Sequence, residues 1–262
     1  MRPPAWLRTI ALVGLAVLVL PLAGMLTRVH WSTLGEDLVA PSTVTALWLS
    51  LLTAFCSTIA CLVLGFPLAF LIARASPRTA AVLRAAVMVP LVLPPMVGGL
   101  ALLSLLGRSG VIGRPIFEAT GFSLPYTTAG VIVAQTFVAM PFLVITLEGV
   151  LRTSGQGHER VAASLGASRW RVLTRVTLPL VTPGLVAGTV LAFARAMGEF
   201  GATALFAGNS EGVTRTMPLA IYTAYNGVGV SQDSALALSL LLLVSAVVIV
   251  AGLRSWREEA VR

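Results

Sequence analysis

Arg195 and Glu199 stand four residues apart in RAMGEFGA (195–202), within a stretch where nearly every other side chain is apolar. Residues at i and i+4 of a helix share a face, so the two can pair. A lone charge at mid-bilayer costs roughly 2.5–3.5 kcal/mol on insertion scales, and pairing offsets part of that cost. Intramembrane ionisable residues generally mark a pathway, although a purely structural pair would also satisfy the spacing. Gly198 and Gly201 beside the pair permit close backbone approach or a local bend.

Other candidate chemistry is weaker. GNSEG (208–212) fits the hydrolase pattern G-x-S-x-G, which needs a strand-turn-helix elbow and a triad histidine. Here it follows an apolar helix, and His30 is the only histidine expected on that side. Every one of the 18 basic residues is arginine. Without lysine there is no Walker A loop and no Schiff-base chemistry, so any ATP-driven work falls to a partner chain. Cys56 and Cys61, on different faces of one helix, read as small apolar core residues. His30 and His158 fall on opposite sides of a membrane, and zinc-motif spacings are missing. No catalytic residue, metal or cofactor is expected.

The elements that must position the pair follow from composition. The chain has 262 residues, 57% hydrophobic and 11% charged, with a mean hydropathy of +0.93. That is a membrane protein. A hydrocarbon core needs about 20 apolar helical residues to cross it. Six stretches qualify: Thr9 to Thr27, Val44 to Ala73, Ala85 to Leu106, Thr127 to Leu147, Leu178 to Ala207 and Ala235 to Leu253. The expected fold is all-α and polytopic, with one transmembrane domain over residues 1–262 and no evident internal repeat. Arg2 and Arg8 before the first stretch also suit a signal peptide, but the run outlasts a typical h-region and Pro21 interrupts it, so it is read as a span.

The net charge of +8 sorts by loop. With the N-terminus cytoplasmic, the inner segments hold Arg2, Arg8, Arg74, Arg78, Arg84, Arg152, Arg160, Arg169, Arg171, Arg175, Arg254, Arg257 and Arg262. The outer loops hold Arg28, Arg108, Arg114 and Arg215, together with most of the acids. This asymmetry places both termini inside. Pro67, Pro90, Pro94, Pro95 and Pro141 kink their spans, and VPLVLPPMVGG (89–99) cannot form one straight helix. Gly184 and Gly188 have the small-xxx-small spacing of closely packed membrane helices, within the chain or across a dimer.

The segment HERVAASLGASRWRVLTRVTLPLVTPG (158–184) is an inner loop with helical character. Thr153 or Ser154 could cap it, with Glu159 near the positive end of the dipole. Small Ala162, Ala163, Gly166, Ala167 and Ser168 let it nest against another surface, with Leu165 as an apolar knob. A plain amphipathic surface loop accounts for the same spacing.

This loop resembles the EAA loop of ABC-importer permeases, in which E-A-A, Gly and I-x-L-P follow at fixed spacing. Gly166 is followed by Val176, Thr177, Leu178 and Pro179, matching the second half. In the first half Arg160 holds the strict Glu position, Glu159 lies one residue earlier, and Val161 replaces the first Ala. PLVLPP (90–95), LGRSGVIGR (106–114), MPF (140–142), FARAMGEFGATALFAGN (193–209) and TRTMPLAIY (214–222) narrow the resemblance to permeases for tetrahedral oxyanions, molybdate above all.

The resemblance implies a type I importer permease in the bacterial cytoplasmic membrane, working as a homodimer. An extracytoplasmic binding protein would deliver the oxyanion, and two cytoplasmic ATP-binding subunits would drive transport. It implies ATPase coupling through Glu159, Arg160, Ala162, Ala163, Leu165, Gly166, Ala167, Ser168 and Arg169. Arg195, Gly198, Glu199, Gly201, Thr203 and Asn209 become pathway residues, with Glu199 holding Arg195 in position rather than touching an anion. Sulfate/thiosulfate or tungstate permeases are alternatives within the class. A stand-alone channel or ion-coupled carrier is the alternative outside it, and nucleic acid is not a partner.

Overall fold

The computed structural model describes residues 4–227 and 232–259. Arg2 and Arg262, counted above among the inner cations, lie outside the described residues, as do the side chains of Arg254 and Arg257. The described elements are helical. α1 (Ala5–Leu26) runs continuously through Pro21, and none of its apolar window is buried. The short α2 (Leu34–Val39) leads to α3 (Pro41–Arg74), which opens on Pro41 where a missing N–H costs nothing. At 1.5 Å per residue this 34-residue helix is roughly 50 Å long, so it outreaches the hydrocarbon core.

α4 (Pro77–Val92) starts with Ser76 accepting from the Thr79 N–H, and stops where Leu93 precedes a proline and turns extended. α5 (Pro95–Leu106) then leaves at 112°. The single span expected over Ala85 to Leu106 is therefore two helices, as the Pro94–Pro95 pair requires. α6 (Gly113–Thr120) joins them to α7 (Thr128–Thr153), whose apolar window is 61% buried, the most of any span-length helix. α7 is the post around which α3 and α10 pack.

Beyond α7 come α8 (Gly157–Ser164) and α9 (Arg169–Val172). A π turn (Leu173–Thr177) then leads into α10 (Leu178–Met197). α11 (Gly201–Phe206), α12 (Met217–Asn226) and α13 (Gln232–Glu259) complete the order. The expected fifth span, Leu178 to Ala207, is thus broken at residues 198–200. Four described helices are long and apolar enough to cross a membrane, or five if α4 and α5 are one broken span. The expected sixth span lies within α13, where the described apolar part is the shorter Asp233–Val248.

Lipid is as apolar as a leucine surface, so close packing by small residues holds such a bundle together. Ala54 and Cys61 of α3, Ala139 of α7, and Ala192 and Ala196 of α10 are all fully buried where these helices meet. At Gly184 a Cβ would collide with Val150, and at Gly188 it would lie 3.2 Å from Leu143 Cδ1, so this glycine pair packs α10 onto α7 within the chain.

Candidate functional site

The two helix breaks face each other. Pro94, Pro95 and Met96 from the α4–α5 break, with Arg195, Gly198, Glu199, Phe200 and Gly201 from the α10–α11 break, line one cavity of about 360 Å³. Behind it the backbones of α5 and α11 are pressed together: a Cβ on Gly201 would lie 2.8 Å from Pro95 Cβ, and one on Gly99 would lie 2.8 Å from the Ala202 carbonyl. Only glycine fits either place without displacement.

Arg195 sits in the last turn of α10 and Glu199 just past its end. Arg195 Nη2 is 2.5 Å from Glu199 Oε2, with the glutamate side chain 1% exposed and the arginine 25%. The other carboxylate oxygen accepts the Ala202 N–H at 2.7 Å, satisfying a first-turn donor of α11. Both oxygens of Glu199 are thus engaged within the chain, and the pair crosses a helix break instead of lying on one continuous face. Arg195 has further N–H donors, and among the described residues the structure gives it no other partner. The cavity therefore has one wall with unspent cationic donors and a first turn of α5, whose N-terminal dipole is positive.

Of the expected pathway residues, Arg195, Gly198, Glu199 and Gly201 come together here. Thr203 does not line the cavity; it is fully buried in α11, and its hydroxyl lacks a hydrogen-bond partner. Asn209 lies beyond α11, donating to Thr223 Oγ1 at 2.8 Å and accepting from Arg215 Nε at 2.9 Å. Arg215 also pairs with Glu211 at 2.8 Å. It borders a separate cavity of about 300 Å³ beside Thr43, near the start of α3.

At the opposite end of α3, the α8–α9 loop presents Val161, Leu165 and Trp170, which are 60%, 83% and 73% exposed. Arg160, Ala163, Gly166, Ser168 and Arg169 are exposed beside them, while Ala162 and Ala167 are half-buried. Gly166 has φ +83°, so the turn after α8 needs a glycine there. Ser168 accepts the Arg171 N–H and starts α9. Glu159 instead turns inward, to Arg74 Nη2 at 2.5 Å and Thr177 Oγ1 at 2.7 Å.

Two features escaped the sequence reading. Pro94, Pro95, Met96 and Phe200 belong to the cavity; the proline cluster signalled a break but not what it would face. Glu148 of α7, 5% exposed, is gripped by Arg84 through Nη2 at 2.5 Å and Nε at 3.1 Å, and by Arg152 at 3.3 Å. Arg84 and Glu148 are 64 residues apart, so no local spacing announces that contact.

Residues 65–255 match the family model described as "Binding-protein-dependent transport system inner membrane component". Over 249 residues the chain is 50% identical to the molybdenum transport system permease protein ModB of Mycobacterium tuberculosis, covering 95% of this chain and 93% of that one. It is 35% identical over 237 residues to the sulfate transport system permease protein CysT of Escherichia coli, covering 87% and 85%. In shape it is similar to a chain of a bacterial alginate ABC transporter solved with its alginate-bound periplasmic protein, with a TM-score of 0.71 and 18% identity over 95% of this chain and 92% of that chain.

Proposed function

We propose a function from one premise, that this chain belongs to the binding-protein-dependent transport system inner membrane component family: it is the membrane subunit of an ATP-driven importer of a tetrahedral oxyanion, molybdate. One observation carries the substrate reading, the 50% identity to a molybdenum permease along nearly the whole chain. The sulfate permease is more distant, at 35%.

An anion in the cavity between the breaks meets the free N–H groups of Arg195 and the positive end of the α5 dipole, which a broken membrane helix can direct at an anionic group. Glu199 repels the same anion. Its carboxylate fixes the guanidinium and reduces the net charge, so the site stays shallow enough to release what it admits. The pair is a station on a path and performs no covalent chemistry.

The energy comes from elsewhere. Without a lysine the chain has no Walker A loop, so a pair of separate ATP-binding subunits hydrolyses the nucleotide. Leu165 and Val161, apolar and solvent-facing among small residues, suit the α8–α9 loop to a cleft on such a subunit. A second copy of this chain completes the path, an extracytoplasmic binding protein delivers the oxyanion, and both termini lie on the cytoplasmic side of the bacterial inner membrane. A stand-alone channel or carrier leaves that exposed apolar loop without a use.

The test is ATP hydrolysis by the complete complex in proteoliposomes, with binding protein loaded with molybdate, tungstate or sulfate. Molybdate should stimulate most. Equal stimulation by all three would remove the substrate assignment.

A further inference from the structure

Three elements meet at one carboxylate oxygen. Glu159 Oε1, on α8, receives Arg74 Nη2 from the last residue of α3 and Thr177 Oγ1 from the last residue of the π turn. The two side chains of the ion pair are 19% and 18% exposed, so solvent screens it less than a surface pair. Arg74 is steadied further by the Phe70 ring, 5.3 Å from its guanidinium carbon.

Arg74 Nε is buried without a partner, so the joint leaves one of its donors unsatisfied at a cost in stability. Thr177 closes a π turn, a rare winding that recurs at functional sites. Each partner also begins or ends a long rigid path. α3 runs back through the bundle, and at Ser50 it accepts the Met217 N–H at 2.7 Å. α10, which starts directly after Thr177, carries Arg195 in its last turn.

We propose that Glu159, Arg74 and Thr177 form a clutch, in which Glu159 is a positioning residue that transmits movement of the α8–α9 loop into α3 and, through the π turn, into α10 and the Arg195 cavity. In this assignment the exposed residues around Leu165 grip the ATPase, and Glu159 passes the stroke on. An inward carboxylate held by two donors of its own chain suits transmission better than docking. The inference rests on the importer reading above.

The experiment uses the complete complex in proteoliposomes and reads oxyanion moved per ATP hydrolysed, together with the amount of ATP-binding subunit that co-purifies. Glu159→Gln should lower the transport-to-hydrolysis ratio at least fivefold while the ATP-binding subunit remains bound. Thr177→Val, which removes one donor without a charge change, should lower it about twofold. The exchange Glu159→Arg with Arg74→Glu should restore most of the loss. An unchanged ratio in Glu159→Gln and Thr177→Val overturns the clutch, as does loss of the ATP-binding subunit from Glu159→Gln, which would make Glu159 a docking contact. Transport by the unsubstituted chain without its ATP-binding subunits would break the importer reading instead, and that arm carries no substitution.

Discussion

Arg195–Glu199 and Arg74–Glu159 are both ion pairs with the same 2.5 Å separation, yet they differ in almost everything else. The first joins residues four apart across a helix break, with its carboxylate sealed from solvent and both oxygens used. The second joins residues 85 apart, sits at the end of the bundle, and shares one oxygen between two elements. A sealed local pair fixes a charge in place. A half-buried pair between distant elements ties together parts that could otherwise move independently. In the cycle proposed above, the two carboxylates would act in different ways, one by holding still and one by relaying motion.

The largest effect should follow Arg195→Ala. It leaves Glu199 buried and unpaired, which costs about 3–5 kcal/mol, and the thermal midpoint of the purified complex should fall steeply. Little change in that midpoint would show that water reaches Glu199 and that the pair is not sealed. Glu199→Gln is the sharper probe: its amide oxygen can still accept the Ala202 N–H, but the charged contact to Arg195, worth about 1.5–3 kcal/mol, is lost. The cavity becomes more cationic, so molybdate should be held more tightly in equilibrium dialysis while uptake falls by roughly tenfold. Faster uptake would contradict the restraining role of Glu199.

Arg74→Gln, at the half-buried pair, should cost less stability than Arg195→Ala, about 1–3 kcal/mol for the hydrogen bond lost by an incompletely buried carboxylate. The comparison fails if the order of the two is reversed. Arg114→Ala sets the floor. Its i,i+4 partner Glu118 is 60% exposed and Arg114 is 69% exposed, so the midpoint should move by less than about 1 kcal/mol equivalent.

The same contrast explains what was legible in the sequence. Arg195 and Glu199 could be paired from spacing alone because i,i+4 contacts are local, and Pro94–Pro95 foretold a break because proline removes a hydrogen bond at its own position. That the two breaks face one cavity was not legible, since it depends on how α5 and α11 pack around Gly99 and Gly201. Arg74–Glu159 and Arg84–Glu148 were equally hidden, because nothing local records a partner 85 or 64 residues away. Thr203 and Asn209 were named from a motif that spans the site, and motif membership does not say which side chains reach the cavity. Glu159 was legible as a residue of the loop, while the direction of its side chain depended on where α3 ends.

The most direct measurement is uptake of labelled molybdate by proteoliposomes holding the complete complex, with the unsubstituted chain beside the double variant Arg195→Ala/Glu199→Gln. That variant removes both charges together and leaves neither buried alone, so it separates passage from folding. The account predicts an assembled complex that still hydrolyses ATP but whose uptake falls to background. Uptake at the unsubstituted rate would contradict it and place the anion's path somewhere other than between the two helix breaks.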